Sequence, residues 1–467
     1  MQIPILSGIT SDGAADFRTA YPINLIPVTK GHGISAGYLR PADGIVGAGT
    51  SKAGVSRGGI NWNGACYRVM GDVLVRIEAD MSETALGVVG AGGRAIFDYS
   101  ADRLAIMSGG RLYYWDGAAL TQVVDPDLGT VVSFVWVDGY FLTTDGNYLV
   151  VTELADPTMV DPLKYGSSEI DPDPVVAVLK VRGEVCAVNR HTIEFFQNIG
   201  GATFPFQRIE GAQIQRGALG TFCAVVFSDA IAFLGSGRNE VPGIYLGANG
   251  QSAKISTREI DTLLSGYTEA QLAAVVLEVR AGDSQNVLWV RLPDRTLAYD
   301  SDASAIVGEP VWYQLTSAAD GFAAYRAVDL VWCYGKWLVA DPLSTAYGYF
   351  DNTLSSHWGV DVRWEFGTQI IYNASRGAII HELELAALPG RTAFGNNPQI
   401  ATSYSLDGMT WSTERTIQAG TAGERGKRLV WYRQGSMRNW RVQRFRGDSQ
   451  AFVSFARLEA QLEPLGA

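Results

Sequence analysis

The 467 residues of this chain suffice for two or three domains of about 150 residues, although some all-β folds of this length form one unit. Hydrophobic residues make up 47% of the chain and charged residues 18%, which excludes a disordered or collagen-like protein. The net charge of −11 argues against tight, sequence-independent DNA binding, because most proteins of that class present a broad positive surface to phosphate. The 53 glycines, 12 tryptophans and 20 tyrosines favour aromatic-rich strands joined by tight turns, so the composition indicates an all-β protein.

The N-terminal sequence and the cysteines predict a protein that is made and kept in a cytosol-like compartment. The opening MQIPILSGITSDGAADF has no basic segment, and nowhere do 18 apolar residues run together, so we expect no membrane span. The four cysteines lie far apart in apolar, strand-like runs without a C-x-x-C pair. We therefore expect buried thiols rather than disulfides or zinc ligands at Cys66, Cys186, Cys223 and Cys333.

A repeated hairpin dominates the chain from Cys66 to about Gly359. Each unit has a short apolar or alternating run, a turn of Gly, Asp or Asn, and a second such run, and the spacing lies near roughly 45 residues. That period is typical of the four-stranded blades of a β-propeller, in which neighbouring blades bury each other's faces. The seven visible units are YRVMGDVLVRI (67–77), RLAIMSGGRLYYWDG (103–117), VWVDGYFLTTDGNYLVV (135–151), LKVRGEVCAVNRHTIEFF (179–196), VVFSDAIAFLGSGRNEVPGIYLG (225–247), NVLWVRLPDRTLAYD (286–300) and LVWCYGKWLVADPLSTAYGYFD (330–351).

These units predict an all-β chain with a β-propeller over residues 66–362, and residues 1–65 are expected to form an extended segment that joins the propeller. Seven units are visible, and six to eight blades fit the spacing. A large meandering sandwich is the alternative architecture.

One stretch between blades has a helical pattern. In STREIDTLLSGYTEAQLAAVVLEV (256–279), Leu264 follows Ile260, and Gly266 interrupts the pattern before Thr268 caps a second turn. We predict a short helical insertion over residues 256–279.

The pattern changes after about Arg363, where longer strands alternate strictly between apolar and polar residues, as in IATSYS and WRVQRF. We predict a separate C-terminal β-sandwich over residues 363–467. Residues 421–457 contain nine Lys or Arg against Glu424 and Asp448, a net charge of +7 that leaves −18 for the rest of the chain. Such an asymmetry often marks an interface with an acidic neighbour.

Motifs for enzyme chemistry are weak. SLDGMTW (405–411) approaches the Asp-box turn of sialidase propellers but is one residue short, and we interpret it as a structural turn in which the Asp side chain bonds the backbone that follows while the Trp packs beneath it. We expect no enzyme, no metal and no cofactor, with a carbohydrate-binding protein or a glycoside hydrolase as the alternative. The histidines are too scattered for a metal motif, and we expect strand or loop residues at His32, His191, His357 and His381.

The segment RLVWYRQGSMRNWRVQRFR (428–446) interleaves aromatic and basic residues. On a strand, alternation places Arg441, Gln443 and Phe445 on one face, so no continuous basic stripe results. Two explanations stay open. Solvated arginines could flank packed aromatic rings, or the segment could form a docking surface for an acidic partner or a lip that faces DNA.

Several long segments resemble the packaged-DNA stabilisation proteins, also called tail hubs or nozzles, of short-tailed bacteriophages that bear tailspikes. The resemblance covers most of the first 260 residues, and the C-terminal residues 398–446 are similar to the β-sandwich of phage tail hub and nozzle proteins. The segments that carry it begin with IPILSGITSDGAADF (3–17), GYLRPADGI (37–45), FVWVDGYFLTTDGNYLVV (134–151) and FPFQRIEGAQIQRGALGT (204–221).

This resemblance implies a non-enzymatic component of the virion tail that is assembled in the host bacterial cytoplasm. Such hubs form a homo-hexamer ring below the portal and adaptor proteins, close the DNA exit channel, retain the packaged genome and carry the tail needle or tailspikes. DNA is expected to pass through the channel without sequence-specific binding. In an acidic ring, the basic C-terminal stretch would meet an adjoining copy or the adaptor, and the candidate contact residues are Arg425, Lys427, Arg428, Arg438 and Arg441.

Overall fold

Seven small antiparallel sheets occupy the chain between Gly44 and Asp351 in the computed structural model. They are arranged as the blades of a propeller, and the first strands of neighbouring blades lie against one another around a common axis. The predicted β-propeller with a C-terminal β-sandwich is therefore confirmed, with seven blades. The structure describes residues 2–3, 5, 9–10, 19–29, 35–282, 285–374 and 376–465.

Each blade has four main strands that follow one another along the chain, except that the fourth strand of blade 7 comes from the N-terminal part. The strands are Ser56–Trp62, Ala65–Met70, Val73–Ile77 and Glu83–Val88 in blade 1; Ile96–Tyr99, Leu104–Ser108, Arg111–Trp115 and Leu120–Gln122 in blade 2; Ser133–Val137, Tyr140–Thr144, Tyr148–Thr152 and Val160–Ser167 in blade 3; Val175–Val181, Glu184–Asn189, Ile193–Asn198 and Phe206–Ile214 in blade 4; Ala224–Phe227, Ala230–Ser236, Gly243–Ala248 and Gln251–Lys254, with the short Gly217–Ala218, in blade 5; Val276–Gly282, Gln285–Arg291, Thr296–Asp300 and Val311–Leu315 in blade 6; and Val328–Cys333, Lys336–Ala340, Ala346–Asp351 and Gly44–Thr50 in blade 7.

The middle strands of the blades are buried on both faces, which explains their continuous apolar runs. Leu104–Ser108 is buried at every position. Leu104 and Ile106 pack in a cluster with blade 1, whereas Ala105 and Met107 pack in a cluster with blade 3. Because successive side chains of a strand point to opposite faces, apolar residues are favoured at nearly every position of a strand that lies between two blades. The buried exception in this strand, Ser108, donates its hydroxyl hydrogen to the Gly90 carbonyl oxygen at 2.5 Å.

Blade 7 closes the ring by pairing with Gly44–Thr50, a strand that precedes blade 1 in the sequence. The register places Val46 opposite Tyr349 and Ile45 opposite Phe350. The sequence prediction began the propeller at residue 66, so the structure differs at this boundary: the closing strand and the first strand of blade 1 both lie earlier in the chain.

The segment before the closing strand pairs with the C-terminal sandwich as well as with the propeller, where Ile23 bridges to Gln314 of blade 6, so residues 1–65 do more than join the propeller as expected. Leu25–Val28 pairs with Tyr38–Pro41, and both Tyr38–Pro41 and Gln2–Ile3 pair with the last strand, Ser454–Pro464. The physical reason is that this last strand leaves an unpaired edge, which the N-terminal strands cover.

The helical insertion is shorter than the predicted 256–279. Helices Arg258–Leu264 and Glu269–Ala273 are present, and the Thr268 side chain and Gln271 form the capping box of the second. Residues from Val276 onward form the first strand of blade 6, because the β-branched run VVLEV favours a strand. A third helix, Ser301–Val307, lies between two strands of blade 6, and two short 3-10 turns are Pro126–Leu128 and Thr221–Cys223.

The C-terminal sandwich consists of two sheets that enclose a separate core, rich in aromatic rings, that includes Trp364, Phe366, Trp431, Phe445 and Phe455. One sheet contains the N-terminal strands named above together with Ser454–Pro464, Ala378–Leu388, Leu429–Tyr432 and Ser436–Met437. The other contains Arg363–Gly367, Ile371–Tyr372, Trp440–Asp448, Gln399–Ser405 and Arg415–Gln418. In a separate two-stranded sheet, Ile9–Thr10 pairs with Thr19–Ala20, and Ile9–Thr10 lies beside Trp440–Asp448 and Arg363–Gly367 of the sandwich.

Candidate interaction surface

The five candidate contact residues do not share one surface. Arg428 precedes a strand in which Leu429 pairs with Leu385, whereas Arg438 follows Met437, which pairs with Ala378. Leu385 and Ala378 are seven residues apart on the strand Ala378–Leu388, which corresponds to about 24 Å at the rise of about 3.4 Å per residue of a strand. Arg425, Lys427 and Arg428 therefore lie towards one end of the sandwich and Arg438 towards the other.

Arg441 is buried, which corrects its prediction as a contact residue. Its guanidinium donates hydrogen bonds to the Gln434 carbonyl oxygen at 2.6 Å and to the Gln443 side-chain oxygen, and it lies 3.9 Å from the centre of the Tyr404 ring. Burial lowers the pKa of this guanidinium to about 10, and the nearby Arg415 acts in the same direction. An arginine with no exposed surface cannot meet a neighbouring protein, so its role is to organise the sandwich interior.

Lys427 and Arg428 already have acidic partners within the chain. Arg428 contacts Glu384 at 2.6 Å and Glu382 at 3.4 Å, and Lys427 contacts Glu424 at 3.3 Å. Exposed pairs of this kind contribute only about 0 to 1 kcal/mol to stability, but the three carboxylates balance the charges of Lys427 and Arg428 and leave little net positive charge for a partner.

A cavity of about 660 Å³ lies beside these residues and contains an arginine that the sequence analysis missed. Arg391 donates a hydrogen bond to the Ser454 hydroxyl at 2.8 Å and lies 4.7 Å from the centre of the Phe452 ring. Burial lowers the pKa of Arg391, and the positive charge of Arg425 lowers it further. We call the space lined by Arg391, Arg425, Lys427 and Arg428 the basic cavity; Glu384, the partner of Arg428, is the acidic residue of its lining.

Two loops build the basic cavity. The loop after strand Ala378–Leu388 carries Arg391, and the loop before Leu429–Tyr432 carries Arg425; the Gly423 amide donates a hydrogen bond to the Gly390 carbonyl oxygen at 3.1 Å and joins them. Arg391 lies outside the charged stretch 421–457, so counting charge along the sequence could not find it. The available signal was the glycine- and asparagine-rich loop PGRTAFGNNP, which places an aromatic residue and an arginine in a turn.

The SLDGMTW segment is a structural turn, as the sequence analysis predicted. The Asp407 carboxylate accepts hydrogen bonds from the Met409 amide at 2.8 Å and the Thr410 amide at 2.7 Å, and these bonds, with one from the Thr410 hydroxyl, lower the pKa of Asp407. The Trp411 ring packs against the Arg444 guanidinium, 4.1 Å from the ring centre. The Ser405 hydroxyl and both Asp407 carboxylate oxygens thus hold the turn.

The axis of the propeller holds a cavity of about 460 Å³ that is lined by the first strand of every blade. Two of its carboxylates are paired with arginines. Arg94 contacts Asp329 and lies 3.7 Å from Glu278, which also contacts Arg291, and the Ser56 hydroxyl donates to Asp329 at 2.5 Å. Asp98 and Lys180 also line the cavity, where the Asp98 carboxylate accepts a hydrogen bond from the Trp136 amide at 2.6 Å and the Lys180 ammonium lies 4.8 Å from the centre of the Trp136 ring.

The remaining candidate residues have structural positions. The four cysteines are buried free thiols, as predicted, and burial raises the pKa of each of them. Within the described ranges, no group of three or more His, Cys, Asp or Glu side chains could hold a metal ion. His32 lies outside the described residues, and His191, His357 and His381 are far apart in the chain. None of the helices in the described part is long and apolar enough to cross a membrane.

Two family models match the chain in succession. Residues 1–355 match the family described as the bacteriophage P22 Gp10 beta-propeller, and residues 363–463 match the bacteriophage P22 Gp10 beta-sandwich. The chain is also 27% identical over 461 residues to the tail hub protein gp10 of Salmonella phage P22, an alignment that covers 94% of each protein.

Solved structures that align with the chain are more distant. The N-terminal domain of Nup159 has 10% identity and a TM-score of 0.42, over 72% of this chain and all of that one. PorZ of Porphyromonas gingivalis has 11% identity and a TM-score of 0.41, over 79% of this chain and 46% of that one. The two family matches span both domains, and the chain therefore belongs to the Gp10 family of phage stabilisation and tail hub proteins.

Proposed function

We propose that this tail hub protein assembles as a hexameric ring below the portal and adaptor proteins, closes the DNA exit channel, retains the packaged genome and carries the tail needle or tailspikes. The observation that supports this most strongly is the match of both domains, in order and at nearly full length, to the tail hub family. A closed propeller locked to a sandwich is a rigid unit with many loops, which suits a subunit that contacts several neighbours.

The negative net charge of the chain suits the wall of a channel through which DNA must pass. Six copies would carry a formal charge of −66, which repels a duplex and favours its passage over its retention on the wall. The function needs no sequence-specific contact with DNA, no catalytic step and no cofactor. It places the protein in the virion tail, after assembly in the host bacterial cytoplasm.

Genome retention can be tested with particles assembled without this protein. We expect them to package DNA and then lose it, because the exit of a pressurised head stays open. The measurement is the amount of nuclease-protected DNA for each head, with particles complemented by the wild-type chain as control. Full protection in the absence of the chain would contradict the proposal.

Ring assembly can be tested separately by reconstructing the tail from electron micrographs of virions without imposed symmetry. Six copies of the propeller and sandwich around the exit channel are expected. Any other copy number at this position would contradict the hexamer and leave the genome-retention test unaffected.

A further inference from the structure

One end of the sandwich, next to the basic cavity, combines unpaired positive charge with exposed apolar side chains. The Arg391 Nε and the Thr392 hydroxyl are buried and have no hydrogen-bond partner among the described residues. No ion pair joins Arg391 or Arg425 to a carboxylate in the described part of the chain. In the same loop Phe394 is 98% exposed, and Leu388 at its start is 65% exposed. We call these residues the basic end.

Phe394 gives the basic end the character of a docking site. A phenylalanine with almost all of its surface in water gains free energy when another protein covers it, and aromatic residues of this kind frequently anchor protein interfaces. The arginines beside it would fix the position of a carboxylate, because a guanidinium recognises a carboxylate with two parallel hydrogen bonds. The fitting partner is therefore an acidic protein surface with exposed apolar residues.

The propeller of this chain contains a strongly acidic stretch with exposed apolar residues. Residues 112–179 contain eleven Asp or Glu residues and one basic residue, Lys164, so the net charge of this stretch is −10. This stretch contains the last two strands of blade 2 and all of blade 3, and it ends within the first strand of blade 4. Within it Val124 is 80% exposed and Leu163 is 76% exposed.

The exposed apolar residues of this stretch lie close together. The Asp125 carboxylate accepts a hydrogen bond from the Val160 amide at 3.0 Å, which brings the turn that carries Val124 against the strand that carries Leu163. The Glu153 amide donates a hydrogen bond to the Met159 carbonyl oxygen at 2.9 Å. The turn that this bond closes contributes two further apolar residues, Leu154 and Met159, which are both more than half exposed. We call this surface, with the carboxylates around it, the acidic face.

We propose that the basic end of one copy docks on the acidic face of the neighbouring copy, with Phe394 packed among the exposed apolar residues and a carboxylate in the basic cavity. The proposal rests on the ring proposed above. Opposite charge identifies the occupant as a second copy, since the chain carries both surfaces and leaves both uncovered. A contact between two different surfaces of identical chains is heterologous, and when its rotation closes it generates a ring.

Photo-crosslinking in assembled particles tests this contact directly. Phe394→p-benzoylphenylalanine is incorporated into the chain, the particles are purified and irradiated, and the joined peptides are identified by mass spectrometry. We expect a covalent dimer of the chain whose second peptide lies within residues 112–179. A crosslink to another protein, to DNA or to another region of the chain would overturn the proposal, and so would the absence of any crosslink in particles that contain the variant. Tyr372, an exposed aromatic residue towards the opposite end of the sandwich, is the matched control position.

Charge reversal provides a second test that does not depend on the photoreactive residue. Arg391→Glu with Arg425→Glu should lower incorporation into particles at least fivefold at low salt, and Asp156→Lys with Asp161→Lys, two carboxylates beside the exposed Met159 and Leu163, should restore it when all four changes are combined. Arg433→Glu with Arg438→Glu makes the same change of charge on exposed residues away from the basic cavity and should have little effect. Equal incorporation of both double variants, or no restoration, would overturn the docking proposal. Failure of the wild-type chain to enter particles would instead contradict the proposed function.

Discussion

His357 is an ionisable side chain held inside the molecule at the closure of the propeller. Its backbone lies beside Ile45 of the closing strand, its Nδ1 is 2.8 Å from the Ser317 hydroxyl, and its ring packs against Tyr325. Burial, with a smaller effect of the positive charge of Arg326, lowers the pKa of His357 from 6.5 to about 3. The folded protein therefore keeps this ring neutral at a pH where the unfolded chain protonates it.

This difference predicts a loss of stability in mild acid. Between pH 6.5 and about pH 3 the unfolded state binds one more proton at His357, so the free energy of unfolding falls as the pH is lowered, by up to about 1.4 kcal/mol per pH unit from this residue. His357→Asn should flatten the dependence. The measurement is the urea midpoint at several pH values from 7.5 to 4.5, and His381→Asn, whose ring is half exposed, is the control. If the urea midpoint changed with pH equally in the wild type and in His357→Asn, this explanation would be contradicted.

Asp329 is a second buried residue whose charge is essential to its surroundings. Burial opposes its ionisation, but the charges of Arg94 and Arg68 and the hydrogen bonds from Ser56 and Arg94 outweigh burial and hold the pKa of Asp329 below its ordinary value. The residue also has a positive φ of 57°, a conformation that asparagine tolerates. Asparagine is therefore the substitution that removes the charge with the least effect on the backbone.

Asp329→Asn should destabilise the propeller by about 3 kcal/mol, because it leaves Arg94 charged and poorly paired in a closed cavity. The measurement is the denaturant midpoint followed by tryptophan fluorescence. Asp229→Asn, at an exposed residue of blade 5, should change the free energy of unfolding by less than about 0.5 kcal/mol and so leave the midpoint nearly unchanged. Similar midpoints for the two variants would show that the ion pairs of the axis do not hold the blades together.

At the scale of elements, the closing strand Gly44–Thr50 depends on a close approach to blade 7. A Cβ atom at Gly348 would lie 1.9 Å from the Val46 carbonyl oxygen, so only glycine fits opposite the closing strand at this position. The register of the pair shifts between Tyr347 and Gly348, which is where the backbones come closest.

Gly348→Val should therefore displace the closing strand and open the propeller between blades 7 and 1. We expect proteolysis within residues 44–55 to become at least tenfold faster, together with a lower unfolding temperature. Gly93→Ala is the control, since a Cβ atom at Gly93 would meet nothing within 4 Å. An unchanged cleavage pattern in Gly348→Val would mean that the pairing at this position is dispensable.

The sequence predicts the hairpins of the blades better than the elements between them. Seven hairpins were visible because their apolar runs and Gly, Asp or Asn turns lie within a few residues of each other. The closing strand GIVGAGT was missed because its partner lies about 300 residues away and no local turn connects them. Helix Ser301–Val307 was missed because its seven residues span two turns, although Asp300 caps its start and Gly308 ends it in the left-handed conformation.

The candidate site was predicted less completely than the fold, for reasons of burial. A run of arginines on a strand looks exposed in a sequence, but Arg441 points into the sandwich, where Gln443 satisfies it. The sequence does not predict that Arg391 belongs to the basic cavity, because Arg425, which lies near it in space, is 34 residues away in the chain. Whether an arginine is free, paired or buried depends on contacts between loops, which composition and alternation do not contain.

At the scale of the whole molecule, the two domains are joined by strand pairing as well as by the chain that connects them. Ile23 bridges to Gln314 of blade 6 and to Glu365 of the sandwich, and the Asn24 side chain donates hydrogen bonds to the carbonyl oxygens of Thr316 at 2.9 Å and Arg363 at 2.7 Å. The N-terminal segment thus fixes the propeller to the sandwich.

The sandwich alone should consequently be incomplete. A polypeptide of residues 363–467 would expose the edge of strand Ser454–Pro464 that Gln2–Ile3 and Tyr38–Pro41 cover, and exposed edges pair with other chains. We expect it to self-associate in sedimentation velocity and to become monomeric when residues 1–43 are joined to it through a flexible linker. A monomeric 363–467 polypeptide would contradict the expectation that the N-terminal strands complete this sheet.

The pairing of the two chain ends in one sheet also sets the order of events on the ribosome. Residues 2–50 leave the ribosome first, yet their partners lie in residues 328–351 and 454–464, so these strands wait for nearly the whole chain. At roughly 5–20 residues per second, that wait lasts about 20–80 s. A chain that terminates before residue 328 can close neither the propeller nor the sandwich, and one that terminates between residues 351 and 454 can close the propeller but not the sandwich. Either product would expose unpaired strand edges to proteases before it could occupy a place in a tail.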